Sequence, residues 1–258
     1  MSRKQKHKKQ SKHKVVLALL TMVFIMGIVY IAFYIFEANR SKEANSNILE
    51  NIVVNEAKIT EDKTERMLQI AELQKQNTEI VGWLEIEDTN INYVVVQGAD
   101  NDYYLTHNYK KEYASTGSIF LDKDFDLING SSNLLIYGHR NKQGLMFEDL
   151  IKYKDKKFYE EHKQIKFTTN NDDGIYDILA VFYSKVYYKS DKNVFRYYYF
   201  VNAENEAEFD EYVKNCKEAS IYDTGVEAEY GEQLLTLSTC EYSVDNGRFV
   251  VVARKQKK

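Results

Sequence analysis

Residues Val15 to Phe36 form an unbroken apolar run of 22 residues without a charge. As a helix rising about 1.5 Å per residue, the run would be about 33 Å long, enough to cross the hydrocarbon core of a bilayer. A cleavable signal peptide has a shorter apolar stretch, about 7–15 residues, closed by a small-residue cleavage site. Phe33-Tyr34-Ile35-Phe36-Glu37 offers no such site. The sequence therefore predicts an uncleaved single-pass anchor at 15–36. Ahead of it, residues 1–14 hold seven Lys or Arg and no acid. Positive-inside bias predicts that this basic tail is cytoplasmic and that residues 37–258 lie outside the cell membrane.

The tail masks the charge of the rest of the chain. Residues 37–258 carry 28 basic and 39 acidic side chains, a formal −11, against −4 for the whole chain. A domain this acidic is poorly suited to nucleic acid or anionic lipid, so neither is expected as its partner. The length beyond the anchor suits one domain and a stalk.

Residues 37–62 read as a polar stalk with some helix. Thr64 to Ile80 has helical spacing, with Met67, Ile70, Ala71 and Leu73 on one side, too short for a partner-binding coiled coil. From Trp83 the texture changes to strands: Trp83–Ile86, Ile91–Gln97, Ser118–Leu121, Asn133–Tyr137, Ile165–Thr169, Tyr176–Tyr188, Leu234–Thr239 and Arg248–Arg254. Turn signals such as Asn129-Gly130 and Asn246-Gly247 separate them. Helical insertions are expected at Leu145–Tyr153 and Glu204–Ala219. The chain has no proline, so its loops must be shaped by Gly, Asn and Asp, and its 21 tyrosines suit a half-buried β surface. The pattern predicts a mainly β fold: a small eight-stranded barrel with peripheral helices.

Two cysteines occur. Cys216 sits in the helix-like stretch Glu208–Cys216 and reads as a small buried hydrophobe rather than half of a disulfide. Cys240 ends the run Thr236-Leu237-Ser238-Thr239-Cys240, and Arg248 stands beyond a seven-residue loop. If the flanking strands pair as an antiparallel hairpin, the two side chains oppose each other with Cβ atoms about 4.5–5.5 Å apart. The guanidinium then lies beside the sulfur, or beside the oxygen of a carbonyl under attack, favouring thiolate and oxyanion alike. His139 comes after the apolar strand Asn133–Tyr137 through Gly138, a placement on a barrel rim from which it could act as general base or acid. His107 and His162 lie in polar stretches and read as surface residues. Trp83 and the tyrosines of 186–188 and 197–199 read as packing, and Glu204–Glu211 as a solvated helix face. No HExxH, paired CxxC, GxSxG, P-loop or GxGxxG is present, so neither a metal nor a cofactor is expected.

Tyr137-Gly138-His139, Thr236 to Cys240, and Arg248-Phe249-Val250-Val251-Val252-Ala253 resemble the three signature segments of sortases. Gly82–Ile86 through Tyr93–Gln97, Gly117–Asp122, Met146-Phe147 through His162, and the insertion around Glu204–Val226 resemble class B of that family. The similarity covers roughly residues 65–255. It implies an eight-stranded sortase barrel at 81–258 with N-terminal helices, the stalk and helices occupying 37–80. It also implies a membrane-anchored cysteine transpeptidase of Gram-positive bacteria. Such an enzyme cleaves a C-terminal sorting motif of a secreted protein through a thioester and passes the protein to an amine of peptidoglycan or its lipid-linked precursor. By motif, Cys240 would be the nucleophile, His139 the acid/base and Arg248 the oxyanion or substrate stabiliser. Asn101, Leu105, Tyr137, Ser238 and Glu241 would line the substrate groove. Val94 stands where the family often has proline, and the Tyr183–Tyr199 loop, expected to shape the groove, matches poorly residue by residue. From the residues alone an extracellular cysteine hydrolase and an anchored binding module stay open, and a pilus-polymerising variant differs only in its amine.

Overall fold

The computed structural model describes residues 3–51, 64–141, 144–240, 242–243 and 245–257. The chain divides into two compact units, one ending at Ala44 and one beginning at Asn45. Helix α1 (Arg3–Asn51) holds a 22-residue span, Val16–Glu37, long and apolar enough to cross a membrane; residues 16–36 are exposed and Glu37 is buried. A helix apolar on every side matches a membrane span by length and composition.

The second unit is built around a closed barrel. Its strands are β1 (Ile80–Glu85), β2 (Asn92–Val96), β3 (Ile119–Leu121), β4 (Asn133–Tyr137), β7 (Gln164–Thr168), β8 (Asp173–Lys185), β9 (Leu234–Cys240) and β10 (Gly247–Lys255). A small hairpin of β5 (Arg140–Asn141) and β6 (Leu145–Met146) intervenes. Around the barrel the order is β1-β2-β3-β4-β9-β10-β8-β7, with β2/β3 and β4/β9 parallel and the other neighbours antiparallel. The eight strands expected from sequence are these eight. Helix α2 (Glu65–Gln74) packs on β1, α3 (Lys156–Glu161) precedes β7, and α4 (Glu206–Ala219) lies against β8.

Burial explains why the strand runs lack a polar alternation. On β10, Phe249, Val251 and Ala253 fill the barrel interior, while Val250 and Val252 face outward into a second cluster under Phe209, Tyr212, Val213 and Cys216 of α4. A third cluster joins Ile70 and Leu73 of α2 to Trp83, Val94 and Val96 on the outside of β1 and β2. Strands covered on both faces read as continuous apolar runs. The helices start where their caps say: Thr64 Oγ1 accepts from the Met67 amide, and Asn205 Oδ1 from the Glu208 amide at 3.1 Å.

Three elements differ from the sequence reading. The helix expected over Thr64–Ile80 stops at Gln74, because the amides of Gln76 and Asn77 both bond the Leu73 carbonyl and Ile80 opens β1. The helix expected over Leu145–Tyr153 is instead strand β6 and then a 3-10 turn, Asp149–Lys154. Met146 sits at φ 55°, a left-handed backbone through which no helix runs. The short α3 was not expected. Part of the stalk, residues 52–63, lies outside the described residues.

Candidate active site

The run from Thr236 to Cys240 is divided between two faces of β9. Leu235 and Leu237 point into the barrel. Ser238 and Cys240, sharing the opposite face at i and i+2, point outward where α4 no longer covers the sheet. Ser238 pairs with Val250, an outward residue, and Cys240 pairs directly with Arg248. The antiparallel hairpin expected from the spacing therefore forms, and it brings sulfur and guanidinium to the same rim. Arg248 is held there by its own loop, Nη1 donating to the carbonyls of Gly247 at 2.9 Å and Asn246 at 3.3 Å.

The histidine arrives on the other neighbour of β9. β4 runs parallel to β9 with Ile136 opposite Leu237 and Tyr137 opposite Ser238. Beyond the strand end the pairing continues: the Gly138 amide donates to Ser238 O at 3.2 Å, and Thr239 Oγ1 donates to Gly138 O at 2.8 Å. One further step sets His139 beside Cys240. Only glycine fits at 138, since a Cβ there would lie 2.7 Å from Phe147 Cδ2 and collide with Ile119. The ring's Nε2 meets the Leu105 carbonyl at 2.8 Å.

The electrostatics arise from this convergence. Hydrogen bonding to His139 lowers the Cys240 thiol pKa below its ordinary value, opposed by burial and assisted by the Arg248 charge. The same bond raises the imidazole pKa of His139, opposed by burial and assisted by the Leu105 carbonyl. Each group favours the charged form of the other, which is the arrangement an attacking thiolate needs.

These three side chains border a cleft of about 450 Å³, also lined by Asn101, Leu105, Tyr137 and Ser238. Four of the five groove residues expected from sequence are thus brought together; Glu241 lies outside the described residues. Asn101 and Tyr137 share an anchor in buried Asp122, whose Oδ2 accepts from Asn101 Nδ2 and from Tyr137 OH, each at 3.0 Å. Ser238 Oγ is bonded to Tyr197 OH at 2.6 Å. Asp122 was not read from sequence as a site residue; Val186, Tyr197 and Tyr198 come from the Tyr183–Tyr199 loop that was expected to shape the groove, though none was singled out there. Tyr197 is fully buried, as the packing reading expected, yet it also forms part of the cleft. His107 and His162 stack on Tyr103 and Phe158, centroids 4.0 Å apart, and line no part of the cleft. A cavity of equal volume at the opposite end of the barrel, among Gln74, Ile128, Asn170 and Lys255, has no cysteine or histidine in its lining. Chemistry rather than volume separates the two. Among the described residues no three His, Cys, Asp or Glu side chains converge as a metal site.

A thiol flanked by imidazole and guanidinium at the rim of a closed mixed barrel defines a cysteine acyl-transfer type of site. Comparison with known proteins gives the particular family. The sortase domain matches residues 84–256. Sortase B of Listeria monocytogenes is 36% identical over 214 residues, covering 80% of this chain and 83% of that protein. Sortase B from Bacillus anthracis in complex with AAEK1 superposes with a TM-score of 0.73 at 31% identity, covering 87% of this chain and 100% of that one. The Staphylococcus aureus sortase B–substrate complex gives a TM-score of 0.74 at 28% identity, covering 86% and 99%. The chain belongs to the sortase family, class B. It is a cysteine transpeptidase that takes a protein bearing a sorting signal and an amine nucleophile, and its N-terminal apolar helix is a candidate membrane span.

Proposed function

We propose that Cys240, His139 and Arg248 carry the transpeptidation in the outward-facing cleft. The observation that supports this most directly is the in-register opposition of Cys240 and Arg248, with the His139 ring against the same thiol. The Cys240 thiolate attacks the scissile carbonyl of the sorting motif. Arg248 stabilises the oxyanion, in the place where charge develops. His139 protonates the departing amine, leaving a thioester. An incoming amine then displaces the sulfur and gives its proton to His139. Asn101, Leu105, Tyr137, Ser238 and Glu241, the last following the nucleophile in sequence, hold the sorting peptide.

The amine belongs to cell-wall peptidoglycan or a lipid-linked precursor of it. Residues 1–14 form a cytoplasmic tail, 15–36 the anchor, 37–80 the stalk and N-terminal helices, and 81–258 the catalytic barrel on the outer side of the membrane. The seven Lys or Arg of the tail support that orientation.

The test is mass spectrometry of the full chain in detergent with a panel of sorting-motif peptides. The expected result is a covalent adduct on Cys240 that converts to a ligated product when a peptidoglycan-like amine is added. An adduct that releases only free acid, whatever amine is offered, would overturn transfer in favour of hydrolysis.

A further inference from the structure

Leu105 closes a single 3-10 turn, Tyr103–Leu105. The turn is seated on Gly117, which lies at φ +59°. A Cβ at 117 would collide with the Tyr104 carbonyl and lie 2.7 Å from the Leu105 oxygen. Both the backbone conformation and the space therefore demand glycine. The next amide, Ser118 N, donates to Tyr104 O at 2.9 Å, and Ala114 N donates to Thr106 O at 2.9 Å, so the turn is pinned from two sides. What it presents to the cleft is the Leu105 carbonyl, 2.8 Å from His139 Nε2.

A carbonyl oxygen has no proton to give. Nε2 must be the donor in that bond, and it keeps its hydrogen whether the ring is neutral or charged. The exchangeable catalytic proton is then on the other nitrogen. We propose that the Tyr103–Leu105 turn, seated on Gly117, is the device that fixes His139 as its Nε2–H tautomer, so that Nδ1 gives and receives the proton of the reaction. The Leu105 carbonyl fills the part that a third, orienting group plays beside a nucleophile and its base. Gly117 is a positioning residue, acting through the turn and touching no reacting atom. The inference rests on His139 being the acid–base group.

The proton balance is simple. As the C–N bond of the tetrahedral adduct breaks, its electron pair goes to the leaving nitrogen, which takes the Nδ1 proton. The carbonyl re-forms as the thioester, and the ring is left neutral with hydrogen on Nε2. When the incoming amine attacks, its proton goes to Nδ1 and the thiolate departs. The ionisable groups acting on the ring are Cys240 at the end of β9 and Arg248 on β10; Asp102, beside the turn itself, lines the same cleft.

The first experiment records ring nitrogen shifts of the full chain, labelled with 15N-histidine, in detergent micelles above the titration of the ring. The chain has five histidines, and the His139→Gln variant identifies the signal. A protonated Nε2 with a bare Nδ1 is expected; an Nδ1–H tautomer, or two averaged nitrogens, overturns the proposal. The second compares Gly117→Ala with Gly130→Ala, whose site also has a positive φ but open space around it. Gly117→Ala is expected to lower kcat/KM by about 10- to 100-fold, mainly in kcat, because small misplacements of a reacting group are costly. It should also move the alkaline limb of the pH profile to lower pH, as the carbonyl that favours imidazolium is displaced. An unchanged profile counts against the proposal, and the wild-type tautomer decides independently should the variant not fold. Near-normal turnover in His139→Gln would instead sink the role of the histidine, whichever tautomer is found.

Discussion

Cys216 and Cys240 lie on the same outer side of the barrel wall, one on a helix and one on a strand, and have opposite chemistry. Cys216 on α4 packs with Val250 and Val252 on the outside of the barrel and is fully buried. Burial pushes its thiol pKa far up, only partly offset by a hydrogen bond with Tyr212. Cys240 is half-buried on the outer face of β9, and its thiol is pulled down by His139 and Arg248. The covering makes the difference. Where α4 lies on the sheet, a thiol is a small hydrophobe; where the sheet runs past the helix, it meets an imidazole and a guanidinium. The same contrast holds for hydroxyls, Thr236 sitting under Tyr212 and Ser238 at the cleft.

The largest effect should come from exchanging one cysteine for the other as the target of mutation. Cys240→Ala is expected to remove turnover, by at least about 10⁴-fold, while Cys216→Ala leaves kcat/KM within a few-fold and lowers stability by on the order of 1 kcal/mol. Peptide turnover and thermal melts check both. Comparable activity in the two variants would erase the distinction between the two thiols. Arg248→Ala ranks next, with a loss of about 10²–10³-fold in kcat if the guanidinium holds the oxyanion. A loss confined to KM would assign it to substrate binding instead.

The pH dependence is smaller and more diagnostic. In the proposed mechanism the reactive form pairs a Cys240 thiolate with a protonated His139, whichever proton leaves first from the coupled pair. Activity should rise with pH as the thiol ionises, below its ordinary range, and fall as the imidazolium deprotonates, above its ordinary range. In His139→Gln the strongest influence lowering the thiol is gone, so the midpoint for alkylation of Cys240 by iodoacetamide should move upward, and the alkaline limb should vanish. In the native protein one thiol should react, and the second should appear only on unfolding. Rapid reaction of both would mean that α4 does not seal Cys216.

How much of the fold and the site was legible in the sequence depends on which atoms carry the information. The opposition of Cys240 and Arg248 is a matter of side-chain spacing across a hairpin, and the sequence states it. The eight strands were readable from their apolar runs, although the double covering that produces those runs was not. Leu145–Tyr153 misled because Leu145, Met146, Leu150 and Tyr153 have helical spacing and are all buried, yet Met146 takes a left-handed backbone with its amide donating to Tyr93 OH. Helix α3 buries only Tyr159, so no periodicity announced it. His139 gained its place from the Gly138 contact, and Leu105 contributes a backbone oxygen, which no side-chain pattern records. Asp122 could have been found by tracing β3 one residue past Leu121, since Phe120 is paired with Tyr137.

The smallest expected effect sharpens the comparison at its hydroxyls. Tyr197→Phe removes the partner of Ser238 Oγ beneath the cleft but leaves the ring that packs on Phe182. A buried neutral hydrogen bond contributes about 1 kcal/mol, so stability should fall by that order while the fold persists. If Ser238 also holds the sorting peptide, a freed hydroxyl changes KM and leaves kcat and the Cys240 alkylation midpoint where they were. Tyr212→Phe, made beside Thr236 under α4, should cost similar stability and move neither kinetic constant, because Thr236 keeps its bond to Asn133 Oδ1 at 2.8 Å and faces no substrate. Equal kinetic shifts in the two variants would mean that the α4 cluster and the cleft are one coupled network. A shift in Tyr197→Phe alone would place the boundary between packing and function at the edge of that helix.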